Sequence, residues 1–222
     1  MAVRKIPKNY LNVTGRVAHG TNSEQSGFES LLEKDYLLCL QFDTSVEHFE
    51  VQSIQVPVPG CRKPYTPDVL VRYRPGPRGG RVKPDLVEVK PKEILERKAE
   101  EFAPKFKAAR AFARAQGWCF RILTEKEIRT QRLDNVKFLR EFRRRPRDPG
   151  QEQAVIHKLR ALGNGATSAA LARALEPSGN LEHIAAWYPV IWRLAYERQI
   201  EMDLDAPMAE SVPLWLPKRR AP

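Results

Sequence analysis

Residue types suited to metal and phosphate chemistry occur close together at Asp68, Glu88 and Lys90. The β-branched and aromatic stretch 65–73 and the alternating stretch 81–91 predict two strands, and the Pro- and Gly-rich connector between them favours a hairpin. Antiparallel pairing places Asp68 beside Glu88 and Lys90, which share one strand face while Val89 points into a core. The two carboxylates predict a hard-oxygen site for Mg²⁺ or Mn²⁺. The lysine is placed to hold a water or to stabilise charge on a phosphate.

An acidic helix is predicted before the hairpin, over residues 28–42, because apolar side chains recur there at helical spacing. Residues 26–27 (Ser-Gly) are expected to cap its start. Glu29 and Glu33 lie four positions apart and therefore share one helix face. A carboxylate from this helix is expected to complete the metal site, and the spacing leaves both glutamates as candidates.

The segments Pro67-Asp68 and Glu88-Val89-Lys90 match the PD-(D/E)xK nuclease motif. The motif alone is only moderately specific, because Pro-Asp begins many turns and Glu-x-Lys is common on solvated strand edges. The hairpin spacing, the apolar flanks and the acidic helix together favour a nuclease over a purely structural interpretation.

The composition is that of a globular protein with an anionic partner. The chain has 222 residues, 42% of them hydrophobic, and a formal net charge of +11, which favours nucleic acid and, less strongly, an acidic membrane surface. No apolar run approaches the roughly 18 residues of a membrane span, and no secretory signal is recognised. Three widely separated cysteines favour reduced thiols in a cytoplasm over disulfides or zinc.

Three regions are predicted along the chain: a basic arm at 1–27, an α/β nuclease domain at 28–147 and a smaller domain at 148–222. In the nuclease domain, a long helix over 93–115 should kink or break at Pro104, and a strand over 118–124 and a further helix follow. This order predicts a restriction-endonuclease-like mixed sheet flanked by helices.

A dense arginine run ends the predicted nuclease domain. Like charges at this density are unfavourable unless an anion lies alongside, so the run is expected to contact DNA phosphates; a solvated helix face is the alternative. Its members are Arg140, Arg143, Arg144, Arg145 and Arg147.

The C-terminal region has the pattern of a winged helix. The third helix carries Arg193 and Arg198 but also Glu182 and Glu197, so reading DNA and docking a protein remain equally open. The predicted elements are helices at 151–162, 167–175 and 181–198, the last ended or bent by Pro189, wing strands at 200–204 and 212–216, and a basic tail at 218–220.

In ordered combination, several segments resemble TnsA, the endonuclease subunit of heteromeric transposases, over residues 28–127. Within the family, some members have Gln in place of Glu88, and many have Gln-Pro where this chain has Gln52-Ser53. The segments that carry the resemblance are Glu29-Ser-Leu-Leu-Glu33-Lys-Asp35, Phe42-Asp-Thr-Ser-Val46, Val46-x-x-Phe49-x-x-Gln52, Tyr65-Thr-Pro-Asp68 and Glu88-Val-Lys-Pro91.

The resemblance implies a role for each matching position. It makes Glu33 the helix carboxylate, with Glu29 as a rival, and Asp68 the central metal ligand. Glu88 becomes the second acid and Lys90 the catalytic lysine. The main-chain carbonyl of Val89 becomes a further metal ligand.

The same resemblance implies a bacterial, cytoplasmic protein that acts on double-stranded DNA at transposon ends. It cleaves the 5′, non-transferred strands, while a TnsB-like DDE transposase cuts and joins the 3′ ends and a TnsC-like AAA+ ATPase regulates both. No membrane partner is expected. Two alternatives remain: a stand-alone restriction- or resolvase-type nuclease, and a non-catalytic DNA-binding adaptor.

Overall fold

The computed structural model describes residues 24–76, 80–209 and 211–217. Contacts divide the chain after Arg129 into an N-terminal unit and a C-terminal unit. Most of the predicted basic arm, at 1–23, and the predicted basic tail at 218–220 lie outside the described residues.

The N-terminal unit contains a mixed four-stranded sheet with helices around it. The strand order is β1-β2-β3-β4, in which β1, β2 and β3 are antiparallel neighbours and β4 runs parallel to β3. The predicted mixed sheet flanked by helices is therefore confirmed. Its elements are α1 (Glu24–Phe42), β1 (Val46–Val51), β2 (Val69–Tyr73), β3 (Asp85–Val89), α2 (Lys92–Arg97), α3 (Ala99–Ala115), β4 (Cys119–Leu123) and α4 (Glu125–Ile128).

The two faces of β2 and β3 bury different apolar clusters, because alternate side chains of a strand point to opposite sides. On one face, Val69, Val71, Val87 and Val89 are buried in a cluster that includes α1 residues. On the other face, Leu70 and Leu86 are buried with Val56 and with Ala113 of α3. The central hairpin is thus covered on both sides, which holds its register firmly.

Two helix predictions need correction. Helix α1 begins at Glu24, so residues 26–27 lie inside its first turn and do not cap it. The predicted helix over 93–115 is interrupted at Lys98, between α2 and α3, and not at Pro104, which lies within α3. In a helix that begins at Ala99, Pro104 removes one backbone hydrogen bond, to the carbonyl of Glu100, and this loss is tolerated.

The C-terminal unit places a small sheet among several helices. Its strands are antiparallel neighbours in the order β5-β7-β6. The elements are α5 (Gln131–Glu141), a 3₁₀ turn at Phe142–Arg144, α6 (Pro149–Leu162), β5 (Ala166–Thr167), α7 (Ser168–Leu175), α8 (Leu181–Ala185), α9 (Tyr188–Tyr196), β6 (Glu201–Met202) and β7 (Pro213–Trp215).

The division between the units falls before α5, earlier than the predicted boundary at residue 147. Helix α5 buries Leu133, Val136 and Leu139 and packs against α9. The amide of Asn135, itself buried, donates to the carbonyls of Leu204 at 2.8 Å and Ala206 at 2.6 Å. Sequence periodicity shows that a helix is amphipathic but not which core receives its apolar face, so the boundary could not be read from the sequence.

The predicted third helix of this unit is two helices. Helix α8 ends at Ala185, and α9 starts at Tyr188 with Pro189 in its first turn, where the missing amide proton costs little. Within α9, the side chains from Val190 to Ala195 are all buried, so this helix belongs to the core. Among the described residues, no helix is long and apolar enough to cross a membrane.

Candidate active site

Asp68 lies directly before β2, beside the C-terminal end of β3. In the register of this hairpin Val69 pairs with Val87, which brings Asp68 to Glu88 and Val89. The Asp68 side chain is buried, and its Oδ2 accepts a hydrogen bond of 2.8 Å from the Val89 amide. This carboxylate therefore continues the β2–β3 ladder beyond its last backbone pair.

Glu88 lies on the opposite face of β3 from Val89, and its carboxylate is held at both oxygens. The Tyr65 hydroxyl donates to Oε2 at 2.5 Å, and the Lys90 ammonium lies 3.3 Å from Oε1. Glu88 is only 3% exposed. The Tyr65 hydroxyl and the Lys90 ammonium therefore fix the orientation of this carboxylate.

The buried carboxylates of Asp68 and Glu88 repel each other, and this changes the pKa of Glu88. Burial, and then the negative charge of Asp68, raise the pKa of Glu88 to about 7, although Lys90 and the Tyr65 hydrogen bond pull the pKa back down. The pKa of Tyr65 is raised as well, by its own burial and by the charge of Glu88. Like charges held together in a poorly solvated place favour either a bound proton or a bound cation.

The donor set suits a hard divalent cation. Asp68 and Glu88 supply carboxylate oxygens, the ligand type that Mg²⁺ and Mn²⁺ prefer, and their mutual repulsion would be relieved by a positive ion. Lys90, next to them, carries an ammonium of the kind that stabilises a phosphate. The residue types that lie side by side here are therefore those that metal ions and phosphate groups contact in proteins.

The part of the predicted helix carboxylate in the metal site stays a prediction. Among the described residues, no three His, Cys, Asp or Glu side chains converge closely enough to hold a metal ion. Glu33 is half-buried on α1, and its neighbours Leu32 and Tyr36 pack in the apolar cluster that contains Val87 and Val89. The side chain of its rival, Glu29, lies outside the described part of the structure.

Tyr65 is a site residue that the sequence analysis did not select. Its backbone pairs with Val56 in an isolated bridge, and its ring packs against Phe106 of α3, with the centroids 6.2 Å apart. These contacts aim the hydroxyl at Glu88. A tyrosine three residues before Asp68 is a weak signal, because its partner is 23 positions away and is reached only through the fold.

Gln52, which precedes the position where this chain has Ser53 instead of the proline common in TnsA, adopts an unusual conformation beside the site. Its φ is +50°, a left-handed value that a residue with a Cβ seldom adopts. Its amide donates to the carbonyl of Asp68 at 2.8 Å. The chain therefore turns away from β1 at the point where Asp68 is placed.

The predicted DNA-binding arginines fall in different environments. Arg140, Arg144 and Arg145 are exposed, whereas the Arg143 guanidinium donates to the Arg140 carbonyl at 3.0 Å. Arg147 instead lies 3.0 Å from Glu152 and 3.4 Å from Glu197. Arg147 is itself exposed, so its contact with DNA phosphates stays a prediction.

The same two glutamates contact a second arginine, which was expected to be on a possible DNA-reading helix. Arg193 is 5% exposed and lies 3.3 Å from Glu152 and 2.8 Å from Glu197. It is therefore enclosed in the C-terminal unit and cannot reach a base edge.

Comparison with known proteins gives a match within the N-terminal unit. No curated protein matches the chain. Residues 42–125, which include β1 to β4 and the segments of Asp68, Glu88 and Lys90, match the family model described as "TnsA-like endonuclease N terminal". The resemblance to TnsA is thereby confirmed for residues 42–125, which are similar to the N-terminal domain of TnsA-like endonucleases.

Proposed function

We propose that this protein is a Mg²⁺-dependent DNA endonuclease subunit of a heteromeric cut-and-paste transposase. The observation that carries the proposal is the convergence of Asp68, Glu88 and Lys90 at one end of the β2–β3 hairpin inside the segment that matches TnsA-like endonucleases. Mn²⁺ is expected to substitute for Mg²⁺, since both are hard cations that accept carboxylate oxygens.

Each site residue has a distinct part in this proposal. Asp68 and Glu88 would hold the metal ion, with the Val89 carbonyl and the Glu33 carboxylate as further ligands. A bound metal ion supplies a more acidic water and stabilises charge on the scissile phosphate. The Lys90 ammonium, kept near Glu88 at 3.3 Å, stabilises the same phosphate from the protein side.

The C-terminal unit is proposed to be a winged helix. The succession α6, β5, α7, α8–α9, β6, β7 and the sheet order β5-β7-β6 support this proposal. Because α9 is buried and Arg193 is ion-paired, protein docking is favoured over base reading for this unit. The exposed Arg140, Arg144 and Arg145 would contact phosphates, which position a protein without reading sequence.

Specific cleavage is therefore expected to depend on partners. The proposed assembly contains transposon-end DNA, a TnsB-like DDE transposase and a TnsC-like ATPase, and the proposed product is a break in the 5′, non-transferred strand. The test compares cleavage of a transposon-end duplex by the chain alone and with the DDE transposase. Efficient site-specific cutting by the isolated chain would contradict the proposal and favour a stand-alone nuclease.

Lys90→Met tests the role given to the lysine. Cleavage should fall by about a hundredfold, the loss typical for a group that stabilises transition-state charge, while calorimetry should show that Mn²⁺ still binds. Glu88→Gln is the matched comparison, and this variant should lose both cleavage and Mn²⁺ binding. If Lys90→Met abolishes Mn²⁺ binding as fully as Glu88→Gln does, the lysine is needed for the metal site itself and its proposed role is wrong.

If no DNA cleavage is detected with any divalent metal ion, with or without the DDE transposase, the non-catalytic adaptor is favoured. In that case, Asp68→Asn should leave DNA binding unchanged and have no other functional effect.

A further inference from the structure

A second concave site lies at the other end of the β2–β3 hairpin from Asp68 and Glu88. This cleft has a volume of about 430 Å³ and is lined by the end of β2, the segment entering β3 and the turn after α3. Strands β2 and β3 have five residues each, so the cleft lies roughly 17 Å from the carboxylates at about 3.3 Å per residue. It is therefore separate from the candidate active site.

The lining of this cleft is mainly cationic. Arg72, Arg81 and Lys83 line it together with a single carboxylate, Glu47. Arg81 and Lys83 are exposed, and neither forms an ion pair with any residue that the structure describes. The Arg72 guanidinium lies over the Trp118 ring, 5.5 Å from its centroid, which holds this cation at the wall of the cleft.

Asp85 and Glu50, which lie near the cleft, do not neutralise the charges of Arg81 and Lys83. Asp85 is buried and is satisfied by Arg121 at 2.8 Å and by the Tyr73 hydroxyl at 2.9 Å. Glu50 faces Arg72, but at 3.8 Å and with about a third of its side chain exposed, so this pair is weak. Arg81 and Lys83, opposed only by Glu47 among the lining residues, therefore leave the cleft with an excess of positive charge.

Shape and apolar surface add a second requirement on the ligand. Val82 is 45% exposed and lies between the two free cations, and Trp118 adds apolar surface to the same wall. Pro75 and Pro84 also line the cleft and restrict backbone motion there. The pattern is complementary to an apolar side chain flanked by acidic ones.

We propose that this cleft binds an acidic peptide segment of a partner protein. An apolar side chain of the segment packs on Val82 and Trp118, and its carboxylates pair with Arg81 and Lys83. The chain's own termini do not fit, because residues 1–23 contain no Asp or Glu and residues 218–220 are Lys-Arg-Arg. The exposed apolar surface of Val82 favours a peptide over a DNA duplex, because a phosphate backbone offers no apolar side chain to cover it.

The test uses the full chain and a fluorescein-labelled peptide of glutamates around one central leucine, followed by fluorescence anisotropy. The double variant Arg81→Glu/Lys83→Glu should weaken binding at least about tenfold, because it sets like charges opposite each other. The control Lys107→Glu/Arg173→Glu makes the same change of net charge at exposed positions elsewhere and should have little effect. Equal losses in the two double variants would overturn the proposal, since net charge would then explain the binding.

The apolar contact is tested separately by Val82→Ser. This change should weaken binding of the leucine peptide more than that of a peptide with serine at the centre. Equal losses for both peptides would show that Val82 makes no specific contact. A 20-base-pair duplex is titrated in parallel, and a larger loss for the duplex than for the peptide in Arg81→Glu/Lys83→Glu would reassign the cleft to nucleic acid. The measurement is independent of cleavage, so its failure leaves the proposed nuclease function untouched.

Discussion

Glu88 in the N-terminal unit and Glu152 in the C-terminal unit are both buried glutamates, 3% and 9% exposed, but their neighbours differ in charge. Glu88 has another carboxylate, Asp68, and a single ammonium, Lys90, close by. Glu152 lies between Arg147 at 3.0 Å and Arg193 at 3.3 Å. The first group has an excess of negative charge, whereas the second alternates in sign.

This difference separates a site that needs a ligand from one that needs none. Arg147, Glu152, Arg193 and Glu197 contain as many cations as anions, and each guanidinium faces both carboxylates. The charges of this C-terminal network therefore balance without a bound ion. At the hairpin, the unbalanced carboxylates raise the pKa of Glu88, and such perturbed groups are concentrated at functional sites.

The largest expected effect comes from Asp68→Asn. It removes a charge from the hairpin site but keeps an oxygen that can accept the Val89 amide hydrogen bond. Cleavage should fall by at least about a thousandfold, because a bound metal ion contributes several kcal/mol to the transition state. The free energy of unfolding without metal should be unchanged or higher, because repulsion of Glu88 is lost.

Asp68→Ala is the comparison, measured in the same cleavage assay and in urea unfolding. It leaves the buried Val89 amide without its acceptor, at a cost of about 1–3 kcal/mol. Nicking by Asp68→Asn at the wild-type rate would remove Asp68 from the mechanism.

The next largest effect should be on stability and should come from the C-terminal network. Arg193→Met leaves Glu152 buried next to Arg147 alone and should lower the free energy of unfolding by about 3 kcal/mol, the usual cost of a broken buried ion pair. Arg147→Met removes a more exposed partner of the same glutamate, so a clearly smaller loss is expected, because solvent screens exposed ion pairs. Equal losses in thermal unfolding would mean that the burial of Arg193 has no energetic role.

The two groups should also respond differently to pH. Folding raises the pKa of Glu88 from 4.5 to about 7, so the folded state binds the Glu88 proton more tightly than the unfolded state. The stability from this proton is complete below about pH 4.5 and is lost as the pH rises through about 7, by at most about 3 kcal/mol.

Urea unfolding in EDTA between these pH values measures this loss. Asp68→Asn should make the decline shallower, since it removes one of the two causes of the raised pKa. An equal or steeper decline in the variant would show that Asp68 does not act on Glu88.

The smallest effect is expected from Tyr65→Phe. Loss of the hydroxyl removes one hydrogen bond to Glu88, worth about 1.5 kcal/mol when the acceptor is charged, so cleavage should fall about tenfold. Tyr73→Phe is the matched control, because Tyr73 makes the same kind of hydrogen bond to Asp85, at 2.9 Å, away from the active site. If both variants cleave equally well, Tyr65 does not position Glu88 for catalysis.

Several features of the N-terminal unit were predictable because they depend on local rules. β-Branched and aromatic residues identified β2, alternation of apolar and charged residues identified β3, and the turn-rich connector identified their antiparallel pairing. From these two facts alone, Asp68 had to meet Glu88 and Val89.

Other features depended on contacts between elements that are distant in sequence. The position of Glu33 depends on how α1 lies across the sheet, which its periodicity does not specify. The use of Arg147 and Arg193 as structural ion pairs depends on Glu152 and Glu197 lying beside them. An arginine run has the same appearance in a sequence whether its partner is a phosphate or a buried carboxylate.

By itself, the sequence determined the strands, their hairpin and the residues Asp68, Glu88 and Lys90 at its end, because strand periodicity and turn residues act over a few positions. Only the tertiary structure decided that Tyr65 holds Glu88, that α5 belongs to the C-terminal unit, and that Arg81 and Lys83 share a cleft with Trp118. These outcomes depend on how separate elements pack, and packing is set by the shape and charge of surfaces that meet only after the chain has folded.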